Sequence, residues 1–376
     1  MSILQESDFS LRVQELIDTH IYEVSSPECC PSPMVSVALV AFNHKQYINQ
    51  SLESILAQET NFTYEIVISD DCSTDGTTDI LRDYQVRYPG KIRLILAKRN
   101  LWQVLPGMAT SPTCNIAILG ACQGKYIALC EGDDYWTDPL KLQKQVDFLE
   151  ANPDYSLVAH PTQVLEANTG EFLEGGIIGY ISNNETQSRD WSVLEWPTFR
   201  LPTASLVLRA TVIRKYQEIS PIHSSDMLIV YTAASVGKIR CFSEAMSVYR
   251  IHDGGMWSNN TNSYRSIFFI QSIDAIIASN LSEEVGATDW LKVLFDYNIF
   301  KLACEFDKNV DFWDFLEENI SCDLEKLTRN KWLITTTCNA ILEKNALLKK
   351  TRDSYSFKLG NLIVNVAKKL FPIKFL

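Results

Sequence analysis

The sequence predicts an α/β fold in which a doubly wound, mostly parallel sheet is flanked by helices, with a helical region at the C-terminus. Short apolar segments rich in β-branched residues alternate with segments whose apolar residues recur at the helical period. Turn-forming Asp, Ser and Gly residues follow several of the apolar segments. The chain has 376 residues, 46% of them hydrophobic. It is therefore long enough for roughly two domains with a large core.

The first strand–helix–strand unit follows a polar N-terminal segment. MVSVALVAF, residues 34–42, is short and apolar, as expected for a parallel strand covered on both faces. In the next segment Ile48, Leu52 and Ile55 fall on one helical stripe, and YEIVIS then supplies the second strand.

The same alternation continues beyond this unit. It predicts a helix around Leu81, a strand KIRLILA, a helix SPTCNIAILGAC, a strand KYIALC and a helix that starts at Pro139. Such connections between parallel strands are right-handed, and ligands of these sheets bind outside the carboxyl ends of the strands. Functional side chains are therefore expected in the loops that follow the strands.

Composition excludes several classes of protein. The formal net charge of −12 argues against nucleic acid as the main partner. No segment approaches the ~18 consecutive apolar residues of a transmembrane helix, and acidic residues interrupt the N-terminal region where a secretory signal needs an apolar block. Residence in the cytoplasm is therefore expected. The 10 cysteines lack CxxC spacing, which favours buried free thiols over zinc or disulfides.

Three regions are predicted along the chain. Residues 1–33 form a polar, partly helical extension that ends in the linker SSPECCPSP. Residues 34–255 form the α/β domain. Residues 256–376 carry helix-period apolar stripes and are expected to form a helical domain that packs or dimerises, which would give a homo-oligomer.

Acidic residues cluster at the ends of two predicted strands. Asp70 and Asp71 follow YEIVIS, and Glu131, Asp133 and Asp134 follow KYIALC. The carboxyl ends of parallel strands meet at one edge of a sheet, so both clusters are expected there. Clustered carboxylates repel one another unless protons or a cation neutralise them, and Mg²⁺ or Mn²⁺ needs only one or two carboxylates besides water and phosphate oxygens. A divalent metal that also binds a phosphate ligand is therefore predicted.

Each acidic cluster also has a purely structural interpretation. The segment SDDCSTDGT is rich in turn formers and helix caps, so Asp70 and Asp71 could serve only the loop. Asp133, Asp134 and Asp138 could serve only to stabilise the positive end of the following helix. No glycine-rich phosphate loop is present, which disfavours dinucleotide binding and P-loop chemistry.

Four segments carry a family resemblance. In chain order they are VSVALVAFNHKQYINQSLESILAQ, YEIVISDDCSTDGTTDIL, GKYIALCEGDDYWTDPLKLQKQVDFLEANP and GKIRCFSEAMSVYRIHDGG. Residues 34–255 thereby resemble the family 2 inverting glycosyltransferases with the GT-A fold. The resemblance implies a nucleotide-diphospho-sugar donor (a UDP-sugar foremost), a divalent metal, and transfer to a hydroxyl of a glycan or lipid-linked acceptor with inversion at the anomeric carbon.

The resemblance also implies roles for residues on the donor side. Asp70 and Asp71 match the pair that contacts the base and the ribose, and Ala41 and Asn43 at the end of the first strand join the nucleotide-sugar site.

The second acidic cluster carries further implied roles. Asp133 and Asp134 match the pair that contacts the ribose and the metal. Glu131 stands where many members carry Asp, which leaves open whether it joins the site.

The segment YRIHDGGMW combines Arg250 and His252 with two adjacent glycines. Arginine binds phosphate through two hydrogen bonds, and histidine can ligate a metal. Because this segment closes over the donor in the family, Arg250 is assigned to the diphosphate and His252 to the metal, and the glycines predict a mobile lid. The alternative is a surface arginine and a turn histidine.

A base is expected on the acceptor side, because the attacking hydroxyl must lose a proton during transfer. A helix is predicted from Ser225 to Gly237, with Asp226 in its first turn. The family places its base at the head of this helix, so Asp226 is the predicted base. Ser225 replaces the Glu or Gly common there, His223 is a weaker candidate, and an acid that only stabilises the helix is the alternative.

Several further segments are assigned by position. Lys98, Arg99 or Asn100 could touch donor phosphates, and Trp136 could stack on an acceptor sugar or pack in the core. Residues 165–172 predict a hairpin turn, and residues 175–190 predict a loop for the acceptor.

Two classes of function remain open from the sequence. The first is a metal-dependent glycosyltransferase that builds a surface polysaccharide or another glycan. The second is a nucleotidyltransferase-like enzyme or a nucleotide-sugar-binding module without turnover. In either case, the basic amphipathic segment FKLGNLIVNVAKKLFPIKFL could lie on the inner face of a membrane or pack on the preceding helices.

Overall fold

The structure, a computed structural model, describes residues 14–25, 30–101, 112–178, 187–195, 200–219, 225–255, 262–303 and 338–339. Within these ranges the strands form two sheets. The strands are β1 (Ile21–Val24), β2 (Val35–Ala41), β3 (Tyr64–Asp70), β4 (Ile92–Ala97), β5 (Tyr126–Glu131), β6 (Tyr135–Trp136), β7 (Tyr155–Ala159), β8 (Thr162–Glu166), β9 (Glu171–Ile178), β10 (Arg189–Trp191), β11 (Val207–Arg209), β12 (Lys238–Cys241) and β13 (Ser247–Ile251).

Helices cover both faces of the larger sheet and form the described part of the C-terminal region. They are α1 (Ile48–Leu56), α2 (Thr77–Arg87), α3 (Pro112–Ala121), α4 (Lys141–Ala151), α5 (Ala210–Ile219), α6 (Asp226–Val236), α7 (Asn262–Ala278), α8 (Leu281–Glu284) and α9 (Thr288–Ala303). The α/β fold class predicted from the sequence is confirmed. Helices α7 and α9 lie in the region 256–376, where apolar stripes predicted helices.

In the part of the chain that the structure describes, the larger sheet has nine strands in the order β1-β4-β3-β2-β5-β11-β7-β12-β10. Strands β2, β3, β4 and β5 are mutually parallel, whereas β1, β10 and β11 run antiparallel to their neighbours. From β2 the chain proceeds through β3 to β4 on one side and then crosses to β5 on the other side. The carboxyl end of β2 is therefore the point where the strand order reverses, and ligands bind at such points.

The strand register places the two acidic clusters on either side of the end of β2. Ala41 of β2 pairs with Asp70 of β3, and Val40 pairs with Glu131 of β5. The amide of Gly132 donates to the carbonyl of Val40 at 2.8 Å. The loops after β3 and β5 therefore leave the sheet at the same edge.

Apolar side chains fill both faces of the sheet. On β2, Val35, Val37 and Leu39 pack in one cluster with residues of α1, α2 and α4, whereas Ala38 faces a second cluster that includes residues of α5, α6, α7 and α9. Because both faces are buried, these strands are continuously apolar rather than alternating, which is what the sequence showed.

The smaller sheet has the order β6-β13-β8-β9. Its strand β13 carries Arg250, and Val248 of that strand pairs with Tyr135 directly after the acidic turn. The predicted hairpin turn lies between β8 and β9, which pair antiparallel. This sheet therefore brings a segment that is distant in sequence next to the end of β5.

The N-terminal extension contributes to the large sheet. Residues 14–20 are helical, and β1 pairs antiparallel with β4. The sequence predicted only a polar, partly helical extension here, because a four-residue edge strand with two exposed residues lacks a clear hydrophobic pattern.

A buried ion pair anchors this added strand. Arg93 of β4 contacts Glu65 of β3 at 3.0 Å and Glu23 of β1 at 2.8 Å. Glu65 is fully buried and also accepts a hydrogen bond from Ser36 at 2.5 Å. The charges of three strands are thus satisfied by one another inside the sheet.

Several predictions made from the sequence fall outside the described residues. These are His223, residues 256–257 of the lid segment, residues 179–186 of the acceptor loop, and the basic C-terminal segment with Lys358, Lys368, Lys369 and Lys374. In the part of the chain that is described, no helix combines the length and apolar character needed to cross a membrane. The described cysteines whose side chains are placed, Cys30, Cys72, Cys122, Cys130, Cys241 and Cys338, are free thiols.

We expect the substitution Arg93→Met to lower the free energy of unfolding by about 3–5 kcal/mol, because it leaves the carboxylate of Glu65 buried without its cation. The measurement is urea denaturation at neutral pH. A matched control is Asp83→Asn, which breaks the exposed pair with Arg87 and should cost about 1 kcal/mol or less. Equal losses for the two variants would contradict a structural role for the buried pair.

Candidate functional site

The acidic turn after β5 comprises Glu131, Gly132, Asp133 and Asp134. Gly132 is required by space, because a Cβ at this position would lie 2.8 Å from Nδ1 of His44 and 3.3 Å from the Cβ of Ala41. The backbone therefore passes directly against the end of β2. This close approach directs the carboxylates that follow into the edge of the sheet.

The carboxylate of Asp133 lies between two histidines. Its Oδ2 is 3.0 Å from Nε2 of His252 and 3.6 Å from Nε2 of His44. Burial raises the pKa of Asp133, but the neighbouring His44 and His252 outweigh it and hold this pKa below its usual value. The structure therefore brings together Asp133 and His252, which the sequence had assigned to the metal site from segments far apart in the chain.

The hydrogen bonds of His252 define its tautomer. Its Nδ1 accepts the amide of Gly254 at 3.2 Å, so Nε2 carries the proton and donates to Asp133. His252 is itself buried. In this conformation the imidazole ring of His252 orients the carboxylate of Asp133. The assignment of His252 as a metal ligand stays a prediction.

Asp134 is almost completely buried, with 3% of its surface exposed. Its Oδ1 accepts the backbone amide of Arg250 at 3.0 Å. Burial, together with the charges of Asp133 and Glu131, raises the pKa of Asp134 well above its usual value. Without a cation, this carboxyl group is therefore costly to ionise.

Glu131 has the same difficulty. Burial and the charge of Asp133 raise the pKa of Glu131 to about 8. A hydrogen bond from Thr203 acts in the opposite direction. Among the described residues its Oε2 has no hydrogen-bond partner. Asp226 also raises this pKa through its charge, which places the predicted base within electrostatic reach of the acidic turn.

Arg250 supplies the positive charge that is missing near the acidic turn in the sequence. Its guanidinium donates to the carbonyl of Asp133 and to Oε1 of Gln50. The rings of Tyr135 and Tyr47 lie 4.6 and 5.0 Å from it. The side chain is buried and held from several sides, so the alternative of a surface arginine is wrong.

The loop after β3 is built largely by its own polar groups. Asp70 accepts hydrogen bonds from the hydroxyls of Ser73 and Thr78, the latter at 2.5 Å. Asn43, which has a positive φ of 55°, donates through its amide to Ser73 at 2.8 Å and accepts from Thr74 at 2.9 Å. The contacts of Asp70 and Asn43 thus tie the ends of β2 and β3 together.

Ala41 and Asp71 complete this edge of the sheet. Ala41 is buried, and its carbonyl accepts the amide of Asp71 at 3.4 Å. Oδ1 of Asp71 accepts the amide of Leu101 at 2.7 Å, which fixes the carboxylate against the loop after β4.

Asp226 is the first residue of α6. Ser225 caps this helix by accepting the amide of Leu228, and it receives a hydrogen bond from Ser272 of α7 at 2.9 Å. Burial raises the pKa of Asp226, with Met227 and Arg200 acting in the opposite direction. A carboxylate with a raised pKa is a better proton acceptor, as a general base requires.

The structure bears on two further positions that the sequence singled out. Lys98 donates to the carbonyl of Thr19 at 3.0 Å and so faces the N-terminal segment rather than a donor phosphate. Trp136 is buried, donates to the carbonyl of Ala204 at 3.0 Å and lies 4.2 Å from Nζ of Lys141, which supports core packing, one of the two alternatives that the sequence left open for it.

The donor atoms at this edge suit a divalent cation that shares its ligands with a substrate. Among the described residues, no three His, Cys, Asp or Glu side chains form a complete metal cluster. Mg²⁺ and Mn²⁺ are commonly bound by one or two carboxylates, with water and phosphate oxygens completing the shell. The raised pKa of Asp134 and the Oε2 of Glu131, which has no hydrogen-bond partner among the described residues, are features that fit the binding of a cation.

Comparison with known proteins now identifies the domain. The model for "Glycosyl transferase family 2" matches residues 36–213. Residues 36–213 belong to glycosyl transferase family 2. The matched range of the family 2 domain includes both acidic clusters, whereas Asp226, Arg250 and His252 follow it.

Two relatives illustrate the similarity. An uncharacterized protein of Mycobacterium tuberculosis is 35% identical over 227 residues, which are 59% of this chain and 60% of the relative. The UDP-Glc:alpha-D-GlcNAc-diphosphoundecaprenol beta-1,3-glucosyltransferase WfaP of Escherichia coli is 36% identical over 117 residues, 31% of this chain and 41% of that protein. The matched part of the chain thus covers about 60% of the length of these mycobacterial relatives.

A solved structure confirms the fold. The crystal structure of S. aureus TarS 1-349 in complex with UDP-GlcNAc matches with a TM-score of 0.55 and 13% identity, covering 85% of this chain and 93% of that one. At this identity the likeness concerns the fold alone, which is the GT-A fold expected for the family 2 domain.

Lys141, at the start of α4 behind the acidic turn, gives a prediction for pH dependence. Lys141 is fully buried, and its Nζ donates to Oε1 of Gln145 at 2.8 Å. Burial lowers the pKa of Lys141 to about 7, although the charges of Cys130 and Asp138 act in the opposite direction. His160 is a further titratable group close to Lys141. In the unfolded chain a lysine titrates near ~10.4. Between the native and the unfolded pKa of Lys141, the native state binds fewer protons than the unfolded chain. The free energy of unfolding should therefore rise with pH in this range.

The measurement is urea denaturation of the wild type and of Lys141→Met at pH 6.5 and pH 9. We expect the wild type to gain stability relative to the variant as the pH rises, because the buried ammonium loses its proton in the native state. Parallel pH dependence of the two proteins would show that Lys141 is not desolvated.

Proposed function

We propose that this protein is a metal-dependent inverting glycosyltransferase that transfers a sugar from a nucleotide-diphospho-sugar, foremost a UDP-sugar, to a hydroxyl of a glycan or lipid-linked acceptor. The observation that carries the proposal is the arrangement at the end of β2. A family 2 domain places the acidic turns after β3 and β5 on either side of this strand, and Asp226 lies within electrostatic reach of Glu131.

The names of similar proteins support the choice of substrates. The S. aureus TarS structure contains UDP-GlcNAc, and the name of the E. coli relative specifies a UDP-Glc donor and a diphosphoundecaprenol-linked acceptor. By this analogy the reaction belongs to the synthesis of a surface polysaccharide. It takes place in the cytoplasm or at the inner face of the membrane, where such donors and acceptors meet.

The donor's base and ribose are assigned to the loops that carry Ala41, Asn43, Asp70 and Asp71. Asp133 and Asp134 would hold the divalent cation, with His252 beside them. When bound, the metal neutralises the charge of the diphosphate leaving group. Arg250 keeps the acidic turn in place through the carbonyl of Asp133 and adds positive charge near the diphosphate.

On the acceptor side, Asp226 accepts the proton of the attacking hydroxyl. The oxygen bonds to the anomeric carbon as the bond to the diphosphate breaks, so one displacement inverts the configuration. The raised pKa of Asp226 and its fixed place at the cap of α6 suit this role. Ser225 and Ser272 position the helix end and do not touch the reacting atoms in this scheme.

We expect Asp226→Asn to lower kcat by about 10²–10⁴-fold while the Kd for the donor changes little, because only proton removal is lost. The measurement is release of nucleoside diphosphate together with donor binding by calorimetry. The control variant Glu218→Gln removes an exposed carboxylate on α5 and should leave both quantities unchanged. Full activity of Asp226→Asn would show that another residue is the base.

Metal dependence has its own test. Thermal unfolding is measured with UDP-, GDP-, CDP- and dTDP-sugars, with Mn²⁺ or with chelator. A donor at ~100 times its Kd should stabilise the native state by about 2.7 kcal/mol. We expect this gain to need Mn²⁺ and to be lost in Asp134→Asn.

Asp138→Asn is the matched control, since Asp138 lies in the same acidic segment but pairs with Lys144 at 2.8 Å. It should retain the donor effect. A donor effect that is indifferent to chelator would end the proposal of a metal-dependent enzyme, and equal losses in both variants would assign the acids to the helix end alone.

A further inference from the structure

The segment 14–24 lies before residue 36, where the family match begins, and yet it is part of the sheet edge beside the donor loops. Its strand β1 pairs with β4 so that Ile21 lies opposite Ala97, the last residue of β4. The pairing extends past the strand, because the amide of Lys98 donates to the carbonyl of His20 at 2.8 Å. The segment therefore holds the carboxyl end of β4 and the start of the loop that follows.

An apolar cluster continues this contact into the loop. Leu16, Ala97 and Leu101 are buried together, and Leu101 is completely inaccessible. Ile17 and Cys72 pack against the same cluster. The side chains of the N-terminal segment thus lie against residue 101 on one loop and residue 72 on the other.

Both of these residues flank Asp71. Cys72 follows it directly and has a positive φ of 62°. The amide of Leu101 donates to Oδ1 of Asp71 at 2.7 Å. The position of the Asp71 carboxylate thus depends on two loops that the N-terminal segment packs together from outside the family domain.

We propose that residues 14–24 are a positioning element of the nucleotide-sugar site, which act through Leu16, Leu101 and the Leu101–Asp71 hydrogen bond to orient the carboxylate that recognises the donor's base. This inference rests on the proposed function, in which Asp71 contacts the nucleoside. It extends the donor site beyond the family domain to a segment that touches no substrate.

Loss of this positioning role should change KM and kcat differently. In the strand order, β1 of this segment stands at one edge of the sheet, whereas β11 and β7 lie beyond β5. The helix α6, which carries Asp226, shares an apolar cluster with β7. Loss of the packing of residues 14–24 should weaken donor binding and raise KM for the donor, while kcat at saturating donor stays near the wild-type value. A contribution that only stabilised the fold would leave both constants of the folded enzyme unchanged.

The test uses the full chain with Leu16→Ala, and whichever of UDP, GDP, CDP and dTDP binds the wild type in the presence of Mn²⁺. We expect Kd to rise about five-fold or more, the factor for loss of one hydrogen bond worth ~1 kcal/mol. The milder variant Ile17→Ala should move Kd in the same direction and guards against misfolding of the first.

Two controls separate positioning from general stability. Ile92→Ala truncates a fully buried residue at the opposite end of β4 and should lower the free energy of unfolding without changing Kd. In the background Asp71→Asn, Leu16→Ala should add no further loss of affinity, because the carboxylate that the segment orients is already removed.

The outcomes are distinct. Normal affinity of both N-terminal variants, an equal rise in Ile92→Ala, or full additivity with Asp71→Asn would overturn the inference and leave the proposed function standing. Failure of the wild type to bind any of the four nucleotides would overturn the proposed function and this inference with it.

Discussion

Electrostatic repulsion within the acidic turn is the constraint on which the site depends. Glu131, Asp133 and Asp134 are held close together at the end of a buried strand, where water screens their charges only weakly. Two histidines, one arginine and one backbone amide offset part of this repulsion. The part that remains shows in the raised pKa values of Glu131 and Asp134, which a cation at this position would lower.

The smaller sheet brings the two segments of this arrangement together. Strand β13 delivers Arg250 and His252 to the acidic turn because β6, the two-residue strand directly after the turn, pairs with it. The turn and the segment that neutralises it are therefore parts of one hydrogen-bonded sheet. Any ligand that enters between them meets groups whose relative positions are already fixed, so little ordering is required on binding.

Much of the fold could be predicted from the sequence because the signals are local. β2, β3, β4 and β5 are continuous apolar runs, and the helices between them carry clear stripes. Their parallel order places both acidic clusters at one edge by geometry alone. The short strands β1, β6, β10 and β11 have two to four residues each and form only because a neighbouring strand accepts them, so no local pattern marks them.

The roles assigned to the candidate site residues stay predictions, and the sequence indicated these residues without their contacts. Residue types and loop positions singled out Asp133, Asp226 and Arg250, but not which groups each of them contacts. The pairing of His44 with Asp133 was not anticipated, since a lone histidine after a strand has no signal until its partner is known. Lys98 was misassigned and Trp136 was left between two alternatives, because proximity to a strand end in the sequence does not reveal which way a side chain points.

The contact between Ser272 and Ser225 bears on how the chain can be divided. Residues of α7 and α9, such as Ile273 and Leu291, share one apolar cluster with Met227 of α6 and Leu157 of β7. A boundary at residue 255 therefore separates stretches of sequence and not independent bodies, since each side would expose the interior of the other. A fragment cut at residue 255 would lose Ser272 and with it the hydrogen bond that Ser225 accepts at the N-terminus of α6.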